Sequence, residues 1–270
     1  MDLILVGPGR AGLALSLASV EAGHRVVGVL ARDPDAADAA ADRLGSRPLP
    51  WDRELPPGGL LVVAVRDDAI GEVARRLAGR AGSIGGAVHL SGLKPVAVLD
   101  PLAGPPLGSF HPLQTLPTPE AGAARLGGAW VAITSTDNAF ADRLFSFAAS
   151  LGAHPFEVED DAKPLYHAAA TAAANFTLAA LSMSKELFLA AGVDFEVAAP
   201  LIRAVVDNAI AMGPGDALTG PAARGDVGTV RDQMEAVRSA APHLAGDFAA
   251  MVRATARVAG TSAVIEDALS

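Results

Sequence analysis

The chain contains no cysteine, and that absence excludes several kinds of chemistry. Thiolate catalysis, disulfide scaffolds and Cys-ligated metal centres are all ruled out. We expect no metal site, and the composition fits a protein of the cytoplasm.

Aromatic residues and runs of positive charge are also scarce. Phe, Trp and Tyr make up 4% of the chain, so platforms for base stacking are not expected. The net charge is −9 and the basic residues form no run, which argues against partners that are nucleic acids or anionic membranes. A small-molecule substrate is therefore the expected partner.

A long, strongly apolar run is missing as well. The stretch from Leu165 to Met183 is rich in alanine but carries His, Thr and Asn, so it predicts a buried helix and not a membrane span. No signal peptide is apparent before the first predicted strand. Hydrophobic residues make up 51% of the 270 residues, enough for a Rossmann-type domain with a smaller partner domain.

The most informative pattern lies at the N-terminus. Leu3–Val6 predicts a buried strand, and three glycines follow in the spacing Gly-x-Gly-x-x-Gly before a helical stretch. These glycines permit a tight turn, the approach of a pyrophosphate to the backbone, and close packing of helix on strand. Free N–H groups at the helix start would face the phosphates. We expect a dinucleotide site here, the alternative being a glycine turn that binds no phosphate. The residues expected to hold the phosphates are Gly7, Gly9, Arg10, Ala11 and Gly12.

The end of the second predicted strand, Arg25–Leu30, indicates which dinucleotide is bound. NAD sites usually place Asp or Glu there, on the ribose 2′-hydroxyl. This chain has Arg32, whose planar guanidinium suits a 2′-phosphate, so NADP is the expected cofactor. The alternative for Arg32 is a solvated loop residue. Asp33 is expected to cap the next helix, with Pro34 at its first position.

Strand and helix patterns alternate up to residue 159, as in a mostly parallel, doubly wound sheet with helices on both faces. Val65 and Arg66, at the end of the third strand, are expected to contact the cofactor. Asp67 or Asp68 is expected to cap the helix that follows. The predicted strands are Leu3–Val6, Arg25–Leu30, Leu60–Val65, Ala87–Leu90, Leu107–Phe110, Trp130–Ile133 and Pro155–Val158.

After Glu159 the pattern predicts helices and no strand. The helical stretches cover about residues 162–191, 196–212, 227–240 and 242–258. The predicted fold class is therefore α/β, with a Rossmann-type domain over residues 1–159 and an all-α domain over residues 160–270.

Polar side chains follow the carboxyl ends of the predicted strands, where ligands of open α/β sheets bind. Ser91 follows the fourth strand, where a nicotinamide ring would pass, and His111 follows the fifth. His111 is a candidate proton donor for hydride transfer, because histidine often fills that role near neutral pH. The alternative is a loop histidine that fixes the backbone before Pro112. His89, inside a strand, is expected to be a hydrogen-bonded core residue.

Three polar residues, His167, Thr171 and Asn175, are spaced four apart on the first long helix and share one face. Burying such groups without partners costs about 1–3 kcal/mol each. We therefore expect them either to bond neighbouring helices or to line a substrate cavity at the domain junction.

A loop at Thr219–Asp226 adds donors and charges between two predicted helices. Glycine and proline shape it, and Thr219, Arg224 and Asp226 are its polar residues. Periodicity alone favours a plain structural role, in which Asp226 caps the next helix and Arg224 pairs with it.

Several of these segments resemble one bacterial family in order and spacing. The matching segments are His89–Gly92, Ser109–Gln114, Tyr166 and His167 with Asn175, and Thr219–Asp226. The family consists of NADP oxidoreductases with a Rossmann-like N-terminal domain and a helical C-terminal domain of unknown function. The architecture is more distantly similar to pyrroline-5-carboxylate reductase, deazaflavin-dependent NADP oxidoreductase and the 6-phosphogluconate dehydrogenase superfamily.

The resemblance implies a helical domain that forms a homodimer and helps to close the active site. It also implies a pocket that contains Ser91, His111, His167, Asn175, Thr219 and Arg224. Many hydroxyacid dehydrogenases of the superfamily have a lysine four residues before the asparagine. This chain has Thr171 at that position, and Lys163 and Lys185 do not restore the pattern, so a lysine-based mechanism is not expected.

Together these features predict an NADPH-dependent reductase of a small, carboxylate-bearing carbonyl or imine compound. A 2-ketoacid of the ketopantoate kind and an imine of the pyrroline-carboxylate kind are both open as substrates. His111 or His167 would donate the proton, while Asn175, Thr219 and Arg224 would orient the substrate. The candidate catalytic residues are His111, His167, Ser91 and Asn175. Rival interpretations are a non-catalytic NADP-sensing module that regulates a partner, and a structural dimer with a vestigial glycine turn.

Overall fold

The computed structural model describes residues 1–269 and divides the chain into two compact units. The first unit covers residues 1–174, and the second begins at Asn175. The first unit includes a helix, Lys163–Thr171, that lies beyond residue 159. The domain limits drawn from the sequence, at residues 159 and 160, stay a prediction.

The first unit is built on a seven-stranded sheet in the order β2-β1-β3-β4-β5-β6-β7. Neighbouring strands are parallel except for β5 and β6, which are antiparallel. The strands are β1 Asp2–Val6, β2 Arg25–Leu30, β3 Leu60–Val63, β4 Gly86–His89, β5 Leu107–Leu113, β6 Trp130–Ser135 and β7 His154–Glu157. The predicted α/β class with a mostly parallel sheet is confirmed.

The central strands consist of apolar residues because helices cover both faces of the sheet. All residues of β3 and β4 are buried. One apolar cluster contains Leu5, Val62 and Phe110, and a second contains Ile4 and Leu61. Each such side chain contributes about 1.5–3 kcal/mol to folding when it is fully buried. The two clusters therefore hold the carboxyl ends of β1 and β3 in place.

The first unit contains six α-helices, and the start of the second shows how the local sequence determines where a helix begins. Asp33 caps the second of them by accepting a hydrogen bond from the N–H of Asp35, with Pro34 inside the first turn, so that prediction is confirmed. The helices are α1 Arg10–Glu21, α2 Pro34–Arg43, α3 Ile70–Arg76, α4 Pro119–Leu126, α5 Asn138–Ser150 and α6 Lys163–Thr171. Helix α4 and a 3₁₀ segment at Val96–Leu102 have no counterpart in the sequence prediction.

The predicted cap at the third helix is wrong. A 3₁₀ turn, Asp67–Ala69, precedes α3, and no side chain caps either segment. The carboxylates have other partners: Asp67 accepts a hydrogen bond from the Ser91 hydroxyl, and Asp68 forms an ion pair with Arg66.

The reversed strand β6 brings the chain back to the edge where β4 ends. Ser109 of β5 is level with His89 of β4 on one side and with Thr134 of β6 on the other. The Thr134 hydroxyl donates to the carbonyl of Val158, the residue that follows β7. The chain therefore leaves β7 level with Ser109, and α6 begins five residues later, at Lys163.

The second unit is helical throughout its described part. A π-helical turn, Ala172–Phe176, continues α6 into the next helix, so the predicted helix over residues 162–191 is nearly continuous. Its helices are α7 Thr177–Ala190, α8 Ala199–Met212, α9 Pro221–Arg224, α10 Val227–Ala240, α11 Ala245–Ala259 and α12 Ser262–Ile265. Its apolar core joins α9 to α12 and includes Val230, Met234 and Val252.

The prediction of a buried helix over residues 165–183 is wrong. Leu165 is 78% exposed, Phe176 63% and Leu178 62%, because the core of the helical unit forms among the later helices. Helices α7 and α8 contain no buried residue. Among the described helices, none is long and apolar enough to cross a membrane.

Candidate functional site

The loop between β1 and α1 has the geometry of a phosphate-binding turn. Gly7 has φ +88°, and a Cβ there would lie 2.7 Å from the Val65 side chain. At Gly12 a Cβ would lie 2.6 Å from the Gly7 carbonyl oxygen, so both glycines are required by close backbone packing. At Gly9, in contrast, a Cβ would meet nothing within 4 Å. Space beside the backbone is therefore open at the one glycine expected to face a pyrophosphate.

Helix α1 also presents free donors at this point. Gly9 is its N-cap, and no side chain caps the helix. The first N–H groups of a helix have no partner inside the helix, and its dipole places a partial positive charge there. This end of α1 can therefore bind an anion.

A cavity of about 500 Å³ adjoins the glycine loop, within the first unit. Gly7, Gly9, Arg32, Val65 and Arg66 line it, as the cofactor prediction requires. The other lining residues include Trp51, Glu72, Val73 and Arg76. Arg10 and Ala11 begin α1 beside it, and Gly12 is buried beneath.

Arg32 is exposed at the cavity edge and forms no ion pair with any residue of the described chain. Its guanidinium is therefore available to a ligand. Arg66, three residues after β3, lines the same cavity and is paired with the exposed carboxylate of Asp68.

A second cluster forms around His111. This residue lies inside β5, Leu107–Leu113, and not after the strand, so its predicted position beyond the strand end is wrong. The Nδ1 atom of His111 is 2.8 Å from the hydroxyl of Tyr166, and its ring centroid is 5.9 Å from that of His167. Tyr166 and His167 both lie on α6. The Nδ1 atom of His167 is buried and has no hydrogen-bond partner among residues 1–269. The two candidate proton donors named from the sequence, His111 and His167, therefore lie next to each other, and Tyr166 of α6 is bonded to His111.

Lys163, at the start of α6, lies under this cluster. Its side chain is only 2% exposed, its ammonium donates to the Ser109 hydroxyl at 2.8 Å, and it lies 3.7 Å from an Asp160 carboxylate oxygen. The same carboxylate accepts two contacts from the N–H of Val96. These bonds fix α6 against β5 and so hold Tyr166 next to His111.

Burial sets the charges of this cluster. It lowers the pKa of His111 to about 4, aided by His167 and the Lys163 ammonium. It lowers the pKa of His89 to about 3 and that of Lys163 to about 8. Burial raises the pKa of the Tyr166 phenol to about 12. At neutral pH the His111 ring is therefore neutral and the Tyr166 phenol keeps its proton.

Ser91 has an organising position at the end of β4. Its hydroxyl donates to Asp67 at 2.7 Å and accepts from the N–H groups of Leu93 and Lys94. One donor and two acceptor positions are thus all used inside the protein. Gly92 follows, and a Cβ there would lie 2.7–2.9 Å from the His111 ring. Any direct part of Ser91 in catalysis stays a prediction.

Three predicted residues belong to the second unit. Asn175 lies inside the π-helical turn, Thr219 is exposed before α9, and Arg224 is exposed at the end of α9. The segment described as a loop thus contains a single helical turn, because Pro221 starts it and Gly225 ends it with φ +71°. Asp226 caps α10 through the N–H and hydroxyl of Thr229. The capping alternative for Asp226 is confirmed, while substrate contacts by the three residues stay predictions.

Reasoning from the residues alone missed Lys163, Asp160, Trp51 and Arg76. A single buried lysine does not alter the hydrophobic periodicity of a sequence. Lys163 is also the first residue of α6, a position where charged side chains are usually exposed. Tyr166 entered only through the family resemblance, although it is the one tyrosine of the chain. The position of Tyr166 next to His167 in the sequence does not indicate that its hydroxyl contacts His111 of β5.

Comparison with protein families gives two matches that together cover most of the chain. Residues 1–112 match a Rossmann-like domain, and residues 129–255 match a domain of unknown function, DUF2520. No curated protein matches the chain. The two domains are those of the family that the sequence resembles, so that prediction is confirmed.

Solved structures share the fold over nearly the whole length. A Bacteroides fragilis protein described as an NADP oxidoreductase has 23% identity and a TM-score of 0.81, covering 95% of this chain and 98% of its own. A reductive aminase from Aspergillus terreus, in complex with NADPH and ethyl levulinate, has 18% identity and a TM-score of 0.65, covering 98% of each chain. A pyrroline-5-carboxylate reductase from Coxiella burnetii has 16% identity and a TM-score of 0.58, covering 96% of this chain and 97% of its own.

Proposed function

We propose that this chain, which joins a Rossmann-like domain to a DUF2520 domain, is an NADPH-dependent oxidoreductase. The observation that carries the proposal is the open face of Gly9, at an uncapped helix N-terminus beside a cavity edged by a free Arg32. The similar structures named as NADP oxidoreductase and as NADPH-bound reductive aminase support the same cofactor. When bound, that dinucleotide supplies the hydride.

His111 is the proton donor in this proposal. Because the phenol of Tyr166 keeps its proton, it donates to Nδ1 of the neutral His111 ring, which leaves the ring hydrogen on Nε2. Nε2 then protonates the substrate oxygen or nitrogen while Nδ1 takes the phenolic proton. Solvent then reprotonates Nε2 while Nδ1 returns its proton to the Tyr166 phenolate, which restores the resting tautomer. Burial, aided by His167 and the Lys163 ammonium, keeps the resting ring neutral.

The substrate is a small carbonyl or imine compound that bears a carboxylate. His167 supports a binding site beside His111, since its buried Nδ1 lacks a partner. Asn175, Thr219 and Arg224 are proposed to orient the substrate, Arg224 by pairing with its carboxylate. The similar pyrroline-5-carboxylate reductase and reductive aminase favour an imine over a 2-ketoacid. Ser91 holds the end of β4 against Asp67, and a cytoplasmic location stays a prediction.

Calorimetry with NADPH and NADH, followed by a panel of 2-ketoacids and cyclic imines, tests the proposal. We expect NADPH to bind and at least one carboxylate-bearing compound to oxidise it. Binding of NADPH without turnover of any panel member would favour the non-catalytic sensor. Failure to bind either dinucleotide would remove the function altogether.

Replacing Tyr166 by Phe should lower kcat by about tenfold to a thousandfold, because the proton relay to His111 is lost while the ring stays in place. The His111→Asn variant should lose about 10²–10⁴-fold in kcat. Stopped-flow measurement of NADPH oxidation separates these losses from changes in cofactor affinity. His154→Asn, at an exposed histidine of β7, is the matched control. Unchanged kcat in both cluster variants would place the proton donor elsewhere.

We further propose that the helical domain forms a homodimer. Exposed apolar residues on α8 support this interface, with Leu201 63%, Val205 58% and Ile210 81% exposed. Leu201 and Val205, four residues apart, share one face of α8, whereas Ile210 lies on another. Exposed apolar side chains of this kind are typical of a surface that another chain covers.

The double variant Leu201→Glu/Val205→Glu should therefore sediment as a monomer, whereas the wild-type chain sediments as a dimer. Charges buried in an interface without partners cost far more than the apolar contacts they replace. Analytical ultracentrifugation measures the change, with Arg231→Glu at an exposed position of α10 as the control. A monomeric wild-type protein would refute the interface.

A further inference from the structure

A stacked arginine lies at the cavity beside Arg32. The Cζ atom of Arg76, the last residue of α3, is 4.1 Å from the ring centroid of Trp51. The indole N–H of Trp51 donates to the carbonyl of Ala31 at 2.8 Å, and Ala31 directly precedes Arg32. Trp51 therefore joins the segment that carries one arginine to the guanidinium of the other.

The stacking leaves the hydrogen-bonding edge of Arg76 free. A guanidinium over an aromatic ring is held through its face, while its N–H groups point outward in its plane. Neither Arg32 nor Arg76 takes part in an ion pair anywhere in residues 1–269, and both line the cavity. Two guanidinium groups without an ion-pair partner in the described chain thus border one recess.

Among the described residues, the carboxylates that line the recess form no ion pair with either arginine. Asp33 lines the cavity, but its carboxylate is used to cap α2. Glu72 lies one helical turn before Arg76 on α3 and lines the cavity without pairing to it. A ligand group with about two negative charges matches two guanidinium groups better than a hydroxyl does.

We propose that Arg76, positioned by Trp51, and Arg32 together bind the 2′-phosphate of NADP, so that Arg76 sets the preference for NADPH over NADH. This inference rests on the proposed function, since it assigns one end of the same cofactor. Trp51 is a positioning residue here, and its face holds the guanidinium ready before the ligand arrives. A preorganised side chain loses less conformational freedom on binding.

Dissociation constants of NADPH and NADH for purified variants test the assignment. Arg76→Ala should weaken NADPH binding by about tenfold to a hundredfold and change NADH binding by less than about twofold. Arg75→Ala removes the same charge from the preceding position of α3, which does not line the cavity, and should change neither. Adenosine 2′-phosphate as a competitor should lose affinity in parallel with NADPH, whereas adenosine 5′-phosphate should not.

Trp51→Phe and Arg76→Lys extend the test to chains with smaller changes. Trp51→Phe keeps a ring but loses the bond to Ala31, and should lower the NADPH to NADH preference by less than Arg76→Ala does. Arg76→Lys keeps the charge without the planar fork and should give an intermediate preference. These two variants decide the question if Arg76→Ala fails to fold.

The possible failures are distinguishable. A wild-type chain that binds neither dinucleotide refutes the proposed function itself. A wild-type chain that binds NADPH, with the same preference retained in Arg76→Ala and Arg76→Lys, refutes only this inference. A wild-type preference for NADH would also overturn it.

Discussion

A Gly9→Val variant should keep the fold and lose NADPH binding. Gly9 has φ −76° and ψ −176°, an extended conformation open to any residue, and an added Cβ meets nothing within 4 Å. The free energy of unfolding should therefore change by less than about 1 kcal/mol, since loss of glycine also restricts the unfolded chain. The new side chain would occupy the approach to the helix N-terminus. We expect the dissociation constant of NADPH to rise at least about a hundredfold in calorimetry.

Gly12→Val is the matched comparison, because it should fail for the opposite reason. A Cβ there would lie 2.6 Å from the Gly7 carbonyl oxygen and 2.9 Å from a Leu5 methyl group. Overpacking of this kind costs about 1–3 kcal/mol or more. A fall in Tm of several degrees is expected, about 2–4 °C for each kcal/mol. If Gly9→Val binds NADPH like the wild type, the glycine loop does not hold the phosphates.

The second large expected effect is a loss of folding stability at acid pH. The free energy of unfolding should fall steeply as the pH drops from about 6.5 towards 4. Burial lowers the pKa of His89 to about 3 and that of His111 to about 4. In the unfolded chain both histidines take up a proton below about pH 6.5, whereas in the folded chain they stay neutral. Each therefore lowers stability by about 1.4 kcal/mol per pH unit within that window.

Urea unfolding at several pH values between 7.5 and 4.5 measures the slope. His111→Asn and His89→Asn should each remove a large part of it, whatever their effect on stability at pH 7.5. His24, whose pKa is also lowered by partial burial, contributes to the remainder. His154→Asn, at an exposed histidine, should leave the slope unchanged. Carboxylates with a lowered pKa, such as Asp2 and Glu266, add to the slope only at the acid end of this range, near and below their unfolded pKa. An identical slope in the wild type and both core variants would show that these rings are not kept neutral by burial.

The Rossmann half could be predicted because its signals are local. A buried strand must be apolar on both faces, and the Gly-x-Gly-x-x-Gly spacing, with the positive φ of Gly7, is a property of one loop. The cap of α2 is equally local, since Asp33 and Pro34 are adjacent. Such features need no knowledge of distant residues.

Only part of the candidate site could be predicted from the sequence, because the contacts of His111 with α6 depend on pairing between segments that are far apart in the chain. The antiparallel register of β6 against β5 returns the chain to the level of Ser109, and nothing in the local pattern of Trp130–Ser135 indicates its direction. Lys163 is separated from Ser109 by 54 positions in sequence. His111 could thus be named as a candidate, but its Tyr166 partner could not be deduced from spacing.

Of the two arginines proposed to bind the 2′-phosphate, Arg32 could be predicted from the sequence and Arg76 could not. Arg32 follows a strand end, where general rules place cofactor contacts. Trp51 lies in an irregular, proline-containing segment, and Arg76 reads as an ordinary basic residue at a helix C-terminus. The prediction of a buried helix over residues 165–183 was wrong for a different reason. An alanine-rich sequence indicates close packing, but it does not indicate which segment or chain packs against the helix.

Tyr166 is the only tyrosine of the chain, and its hydroxyl is bonded to His111. Phenolate absorbs ultraviolet light differently from phenol, and neither tryptophan ionises, so an absorbance titration reads this single group without labelling. Any ligand that enters beside the imidazole should perturb that spectrum, which makes the native protein its own optical sensor.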